Sequence, residues 1–168
     1  MMELTALESR RGLDAPVPLA LRPLVDELAA SAQATGAARG VHVEVAPGDE
    51  VIVEGDAFLL RRAIANLLDN AIDFSPDGGT VSVVLRPKRR TVDLGVHDQG
   101  PGIPDYAEDK VFEKFYSLAR PHSRKKSTGL GLAFVKEIAE LHQGRVTLAN
   151  AADGGAVATL SLPREPAS

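Results

Sequence analysis

Apolar residues return at two different spacings along this chain, and the change of spacing divides it into elements. In the stretch 56–74, Leu60, Ile64, Leu67, Leu68 and Ala71 share one side of a 3.6-residue period, while Asn66, Asn70 and Asp73 share the other. That pattern predicts a helix opened by Gly55-Asp56. Residues 19–38 read as another helix, with Pro23 near the first turn, where a missing amide hydrogen is harmless. A third helix is expected over 129–142, capped by Gly144. Elsewhere the spacing falls to two. Val41, Val43 and Val45 alternate with polar positions, as in a half-buried strand, and a short strand follows over 51–53. Strands at 80–86 and 91–97 flank a basic turn, Pro87-Lys88-Arg89-Arg90. Strands at 145–150 and 156–162 form a hairpin around Asp153-Gly154-Gly155. The order predicts an α/β two-layer sandwich, a mixed sheet with helices packed on one face. Ahead of it, residues 3–12 can form a helix carrying Leu4 and Leu7, and Pro16 and Pro18 make 14–18 a linker.

Composition narrows the class. At 168 residues, with 44% hydrophobic and 25% charged content, the chain is one soluble globular domain with a short appendage. Tryptophan is absent, so the core must come from Leu, Val, Ile and Ala. A net charge of −4 without a basic stripe argues against a general nucleic-acid binder. Without cysteine there is no disulfide, thiolate nucleophile or Cys-ligated zinc. No apolar run approaches the roughly 20 residues of a membrane span, and Met1-Met2-Glu3-Leu4-Thr5 does not begin a signal peptide.

Three segments carry chemistry: Asn66-Leu67-Leu68-Asp69-Asn70, Asp98-Gln99-Gly100-Pro101-Gly102-Ile103 and Thr128-Gly129-Leu130-Gly131-Leu132. Each has a bland reading, as a solvated helix face, an ordinary Asp-x-Gly turn and a lone Gly-x-Gly. Asparagine is, however, a weaker helix former than Glu or Lys, and its amide oxygen suits a hard cation such as Mg2+. An Asp held in a Gly-rich turn offers a fixed acceptor for an exocyclic amine. The second glycine pair lets backbone amides approach an anion at a helix start. Taken in order, they describe a nucleotide pocket with places for metal, adenine and phosphates. Guanine, with a carbonyl where adenine has an amine, would set acceptor against acceptor.

With the aromatic run Phe112-Glu113-Lys114-Phe115-Tyr116 between the last two segments, the chain resembles the catalytic ATP-binding domain of sensor histidine kinases. Their Bergerat fold is shared with gyrase-type and Hsp90-type (GHKL) ATPases. The resemblance covers roughly 19–163, and Gly102-Ile103-Pro104-Asp105-Tyr106 and Phe115-Tyr116-Ser117-Leu118 are similar to CreC-type kinases of two-component systems. It implies ATP and Mg2+ as cofactors. Asn70 would be the metal ligand with Asn66 its companion, both in the catalytic set. Asp98 would accept the adenine amine, Gly100 and Gly102 would pass beside the base, and Phe74 and Ile103 would touch the ring. The loop 117–128, with Arg120, Arg124, Lys125, Lys126, Ser127 and Thr128, stands where the family has its ATP lid. Lys114 would contact phosphate and Tyr116 would anchor the lid. Gly129, Leu130, Gly131 and Leu132 would form the phosphate box.

Position 66 separates reaction types. In gyrase-like and Hsp90-like ATPases a Glu four residues before the metal-binding Asn activates water, whereas the Asn66 amide cannot accept a proton. Slow hydrolysis is implied, with the γ-phosphate kept for another acceptor. Two departures stand against the family pattern. Asp73 occupies a position where Lys is common, and none of His42, His97, His122 and His142 sits in the family's phosphoacceptor context. The expected activity is therefore donation of the γ-phosphate to a His on a dimerisation domain outside this chain, for relay to a response-regulator Asp, with no autophosphorylation alone. Residues 1–13 would be a stub of the preceding dimerisation helix, 14–18 a linker and 19–168 the catalytic domain. The chain would be a monomeric cytoplasmic piece of an inner-membrane, homodimeric sensor kinase. An ATP-hydrolysing machine of the same fold, a nucleotide-sensing module without transfer and an anti-sigma-type serine kinase are the rival readings.

Overall fold

Strand burial alternates strictly in β4 (Thr80–Pro87), β5 (Thr91–His97) and β7 (Ala156–Pro163), and this places the core on one side of a sheet. Val81, Val83, Leu85, Val92, Leu94, Val96, Leu160 and Leu162 point inward. Their neighbours Ser82, Val84, Asp93, Gly95 and Thr159 stay partly open on the other face. The structure is a computed structural model that describes residues 16–102, 131–152 and 154–164. The remaining helices and strands among the described residues are β1 (Val17–Ala20), α1 (Leu21–Gly36), β2 (His42–Val45), β3 (Ile52–Gly55), α2 (Ala57–Phe74), α3 (Gly131–Leu141) and β6 (Arg145–Asn150).

The main sheet has the order β2-β4-β5-β7-β6. Only the β2–β4 pair is parallel, so the sheet is mixed, and the helices cover its apolar face. Helix α2 lies between α1 and α3 and carries an apolar face along its whole length. Leu59, Leu60, Ala63, Ile64, Leu67, Leu68, Ala71 and Ile72 are all buried, at the spacing of one helix face. Asp56 starts the helix by accepting the Leu59 amide on its side chain at 3.0 Å. Val25, Leu28, Ala29 and Ala32 of α1 and Ala133, Val135, Ile138 and Ala139 of α3 complete the layer. The expected two-layer sandwich is the fold observed.

Three local expectations need correction. The helix foreseen over 19–38 is shorter at both ends. Leu19 and Ala20 belong to β1, which pairs antiparallel with β3 from Val17↔Gly55 to Ala20↔Ile52. Four residues with three exposed side chains show no alternation, so pattern reading had nothing to detect. Pro18 is tolerated because β1 lies at an edge of its two-stranded sheet. Residues 37–39 form a single tighter turn. Finally, the left-handed residue after α3 is Gln143 (φ 59°), not Gly144; the Gly144 amide instead closes the helix on the Ala139 carbonyl at 2.8 Å.

Candidate active site

The site lies where the C-terminal half of α2, the end of β5 and the first turn of α3 meet. At 100° per residue, Arg62, Asn66, Asp69, Asn70 and Asp73 of α2 fall within an arc of about 100°. Asn66 and Asn70 are half-buried, and the Asn66 Nδ2 donates to the Gly131 carbonyl at 3.4 Å. This long contact joins the asparagine pair to the start of α3, two boxes 65 residues apart. One turn earlier, the Arg62 guanidinium stacks on the Phe134 ring with 4.5 Å to the centroid, a second tie between the same helices.

Asp98 occupies the far side. It is 7% exposed, and its Oδ1 accepts from the Gly100 amide at 2.9 Å and the Ala156 amide at 3.2 Å. Both bonds go to one oxygen, and no donor among the described residues reaches Oδ2. Burial pushes the Asp98 carboxyl up, only partly offset by the two backbone bonds and by His97. A desolvated carboxylate with one committed and one open oxygen is an acceptor poised for a donor from outside the chain.

The glycines around it are required by close backbone approach. A Cβ on Gly100 would collide with the Phe74 carbonyl oxygen, so the Asp98 turn lies directly on the last residue of α2. Gly102 takes a φ of +85°, and a Cβ there would stand 2.6 Å from the Asn150 Oδ1. Gly155 packs against the Asp98 carbonyl in the same way. Asn150, Gly155 and Ala156 are thus site residues that sequence reading missed. The Gly154-Gly155 hairpin signal was visible, but nothing in it indicated that its target is Asp98.

Asp69 adds to the electrostatics of the α2 face. Its side chain reaches solvent, yet desolvation and then the Asp73 carboxylate one turn on push it up. Among the described residues no three His, Asp or Glu side chains converge as a metal cluster. The donors present are the Asn66 and Asn70 amides flanked by Asp69 and Asp73. All are hard oxygens on one face, and they fit Mg2+, which keeps several waters and takes few protein ligands beside phosphate oxygens.

The structure therefore brings together Asn66, Asn70, Phe74, Asp98, Gly100, Gly102, Gly131 and Leu132. Leu132 is half-buried against the core, and no described atom lies within 4 Å of a Cβ built on Gly131. Ile103, Lys114, Tyr116, Lys126, Ser127, Thr128, Gly129 and Leu130 lie outside the described residues, as does His122. His42 and His97 stand in strands, and His142 is buried at the far end of α3. Among the described residues no helix is long and apolar enough to cross a membrane.

Comparison with known proteins agrees with this geometry. Residues 55–166 match the family of histidine kinase-, DNA gyrase B- and HSP90-like ATPases. The sensor protein CreC of Escherichia coli K12 is 50% identical over 115 residues, covering 68% of this chain and 24% of CreC, so the chain spans about a quarter of that relative. Among solved structures, the mycobacterial sensor histidine kinase MprB superposes with a TM-score of 0.78 at 31% identity, covering 91% of this chain and all of the other. The ATP-binding domain of PrrB from Mycobacterium tuberculosis gives 0.71 at 31% identity, covering 90% of this chain and 99% of that one. The chain belongs to the histidine kinase-, DNA gyrase B- and HSP90-like ATPase family, as a catalytic ATP-binding domain of the sensor histidine kinase type.

Proposed function

We propose that this domain binds Mg-ATP and presents its γ-phosphate to a histidine on the dimerisation domain of the same kinase, from which a response-regulator Asp receives it. The observation that carries the reading is the open Oδ2 of Asp98, pinned beside Phe74 and Gly100. That oxygen accepts the adenine amine, and Phe74, with Ile103, supplies apolar contact to the ring. Gly102 lets the chain pass beside the base. Asn66 and Asn70 would hold magnesium, which when bound would neutralise charge on the phosphates. Gly129, Leu130, Gly131 and Leu132 bring the α3 start to the triphosphate, Lys114 contacts phosphate, Tyr116 anchors the lid, and Lys126, Ser127 and Thr128 belong to it.

Transfer then needs little covalent chemistry from this chain. An imidazole nitrogen of the acceptor attacks the γ-phosphorus, the bond to the bridging oxygen breaks, and ADP leaves. The domain contributes position and charge balance. Asn66 cannot take a proton from water, which protects the γ-phosphate from hydrolysis. The acceptor lies outside this chain, whose residues 1–13 we read as the end of the dimerisation helix; of the expected linker 14–18, only 14–16 remain, because Val17 and Pro18 already pair with β3. The full kinase is a homodimer with this domain on the cytoplasmic side of the inner membrane.

Calorimetric titration of Mg-ATP and Mg-GTP into wild type, Asp98→Asn and Asn70→Asp tests the pocket. Adenine-selective binding, lost in the first variant and altered in magnesium dependence in the second, is expected. A well-folded wild type that binds no nucleotide would overturn the reading. Adding the separately expressed dimerisation domain then tests transfer, read as a phosphohistidine.

A further inference from the structure

The basic turn between β4 and β5 plays no part in the nucleotide site, yet its Lys88 lines a charged cleft. Four positions in one row on the helix-free face of the sheet bring this about. Arg86 pairs in register with Asp93, Asp93 with Ser161, and Ser161 with Arg145. The row crosses β4, β5, β7 and β6, and three interstrand steps of about 4.8 Å separate the arginine positions by about 14 Å. Lys88 and Asp93 line a cleft of about 260 Å³ together with Thr91, Gln143, Arg145 and Ser161.

Charge in and beside the cleft is unbalanced: Lys88, Asp93 and Arg145 line it, while Arg86, Arg89 and Arg90 stand outside its lining. Asp93 is paired with Lys88 at 2.8 Å. Burial works against its ionised form, but hydrogen bonds from Lys88 and Ser161 and the charges of Lys88 and Arg145 hold the carboxyl below its ordinary range. Its one negative charge is thus already shared. Arg86, Arg89, Arg90 and Arg145 are exposed, and no carboxylate among the described residues lies within ion-pair distance of them. The turn is also held in place: the Arg164 amide donates to the Arg90 carbonyl at 3.0 Å, and its Nη1 to the Lys88 carbonyl at 3.0 Å. Six of the chain's 19 Lys and Arg (Arg86, Lys88, Arg89, Arg90, Arg145 and Arg164) therefore converge at one end of the sheet, in a chain of net charge −4.

We propose that this cleft, together with Arg86 on the strand beside it, is a docking surface for an extended acidic segment of a protein partner, lying across the strands from Arg86 to Arg145. A compact anion fits it poorly, because the centre of the row is the Asp93 carboxylate and the unpaired cations flank it. An extended chain of four or five residues, at about 3.3 Å each, spans the 14 Å and sets a carboxylate against each flank. A bilayer fits poorly as well: the surface is concave, and the exposed large apolar side chains among the described residues, Val17, Ile52 and Phe58, are in other elements. Asp93 lies five residues along β5 from Asp98, about 17 Å, so an occupant leaves the nucleotide site open.

The test uses the full 168-residue chain and a fluorescein-labelled hexaglutamate peptide, followed by anisotropy with and without saturating Mg-ATP. Binding that weakens with added salt, persists with Mg-ATP and falls at least tenfold in the Arg86→Gln/Arg145→Gln double variant is expected. Amide shifts in the wild-type NMR spectrum should centre on Thr91, Gly95 and Ser161, a readout that needs no variant to fold. Competition by Mg-ATP, shifts confined to other surfaces or undiminished binding by the folded double variant would each overturn the proposal. So would a chain that ignores the peptide but sediments with phosphatidylglycerol vesicles, which would make the cleft a membrane contact. ATP affinity is expected to be unchanged in the double variant, so the two sites can fail independently.

Discussion

Ala156 grips Asp98 from two directions: its amide donates to the Asp98 Oδ1 at 3.2 Å, and its carbonyl accepts from the Asp98 amide at 2.9 Å. The pair is 58 residues apart in sequence and neighbours across the β5–β7 boundary. Because the Gly100 amide takes the same Oδ1, the carboxylate cannot rotate without breaking two bonds, and this decides which oxygen is left for a ligand.

That constraint predicts the behaviour of Asp98→Asn. The amide oxygen of the new side chain must stay on Gly100 and Ala156, so its NH2 occupies the place of Oδ2 and sets a donor against the adenine amine. Affinity for Mg-ATP is expected to fall at least about tenfold, or ~1.4 kcal/mol, in a calorimetric titration.

The same substitution is expected to stabilise the nucleotide-free fold near neutral pH. The folded-state pKa of Asp98 is raised, chiefly by burial. Its contribution is fully favourable below the unfolded value and is lost as pH rises through the folded one. Wild type and Asp98→Asn should therefore melt at similar temperatures in acid, with the variant higher at pH 7. Equal melting temperatures at both pH values would refute this.

Arg62 and Phe134 supply a test of how α2 is held against α3. Arg62→Gln and Phe134→Leu should each destabilise, and a double-mutant cycle should show a coupling of about 0.5–1 kcal/mol. Because Asn66 meets Gly131 one turn further along, ATP affinity should fall in Arg62→Gln and be partly restored in Arg62→Lys.

His142 closes the opposite end of the helical layer. Its Nδ1 lies 2.8 Å from the Ile138 carbonyl, and its Nε2 accepts the Asp56 amide at 3.0 Å. His142→Ala removes a buried acceptor at the start of α2 and should cost about 1–3 kcal/mol in urea unfolding, with nucleotide affinity little changed.

Gly155→Ala should be costlier than an ordinary loop change. Its φ of +75° disfavours any side chain, and the new methyl would press on the Asp98 carbonyl. A loss of about 1–3 kcal/mol is expected, with weaker ATP binding because Asp98 must move. Gly154 also has a positive φ (+101°), but no described atom lies within 4 Å of a Cβ built on it, so Gly154→Ala should leave ATP affinity unchanged.

The long elements were legible because their burial is one-sided. Helix α2 needs its apolar face at 3.6-residue spacing, and β5 and β6 have the bounds expected from alternation and turn residues. Strand β1 was not legible, since four mostly exposed residues leave no periodic trace and their only requirement is pairing with β3. Gln143 was missed as the left-handed residue because a glycine stood next to it.

By itself, then, the chain's sequence determined the two-layer architecture and the kinase family, and it singled out Asp98 and the asparagine pair as candidates, since these depend on local periodicity and on residue types at short spacing. Only the tertiary structure decided that β7 runs between β5 and β6, that Ala156, Gly155 and Asn150 enclose the Asp98 turn, and that Arg86 and Arg145 flank one carboxylate. Those relations are set by strand pairing between distant segments. Pairing is chosen by the burial of the whole sheet, a property that no single segment carries.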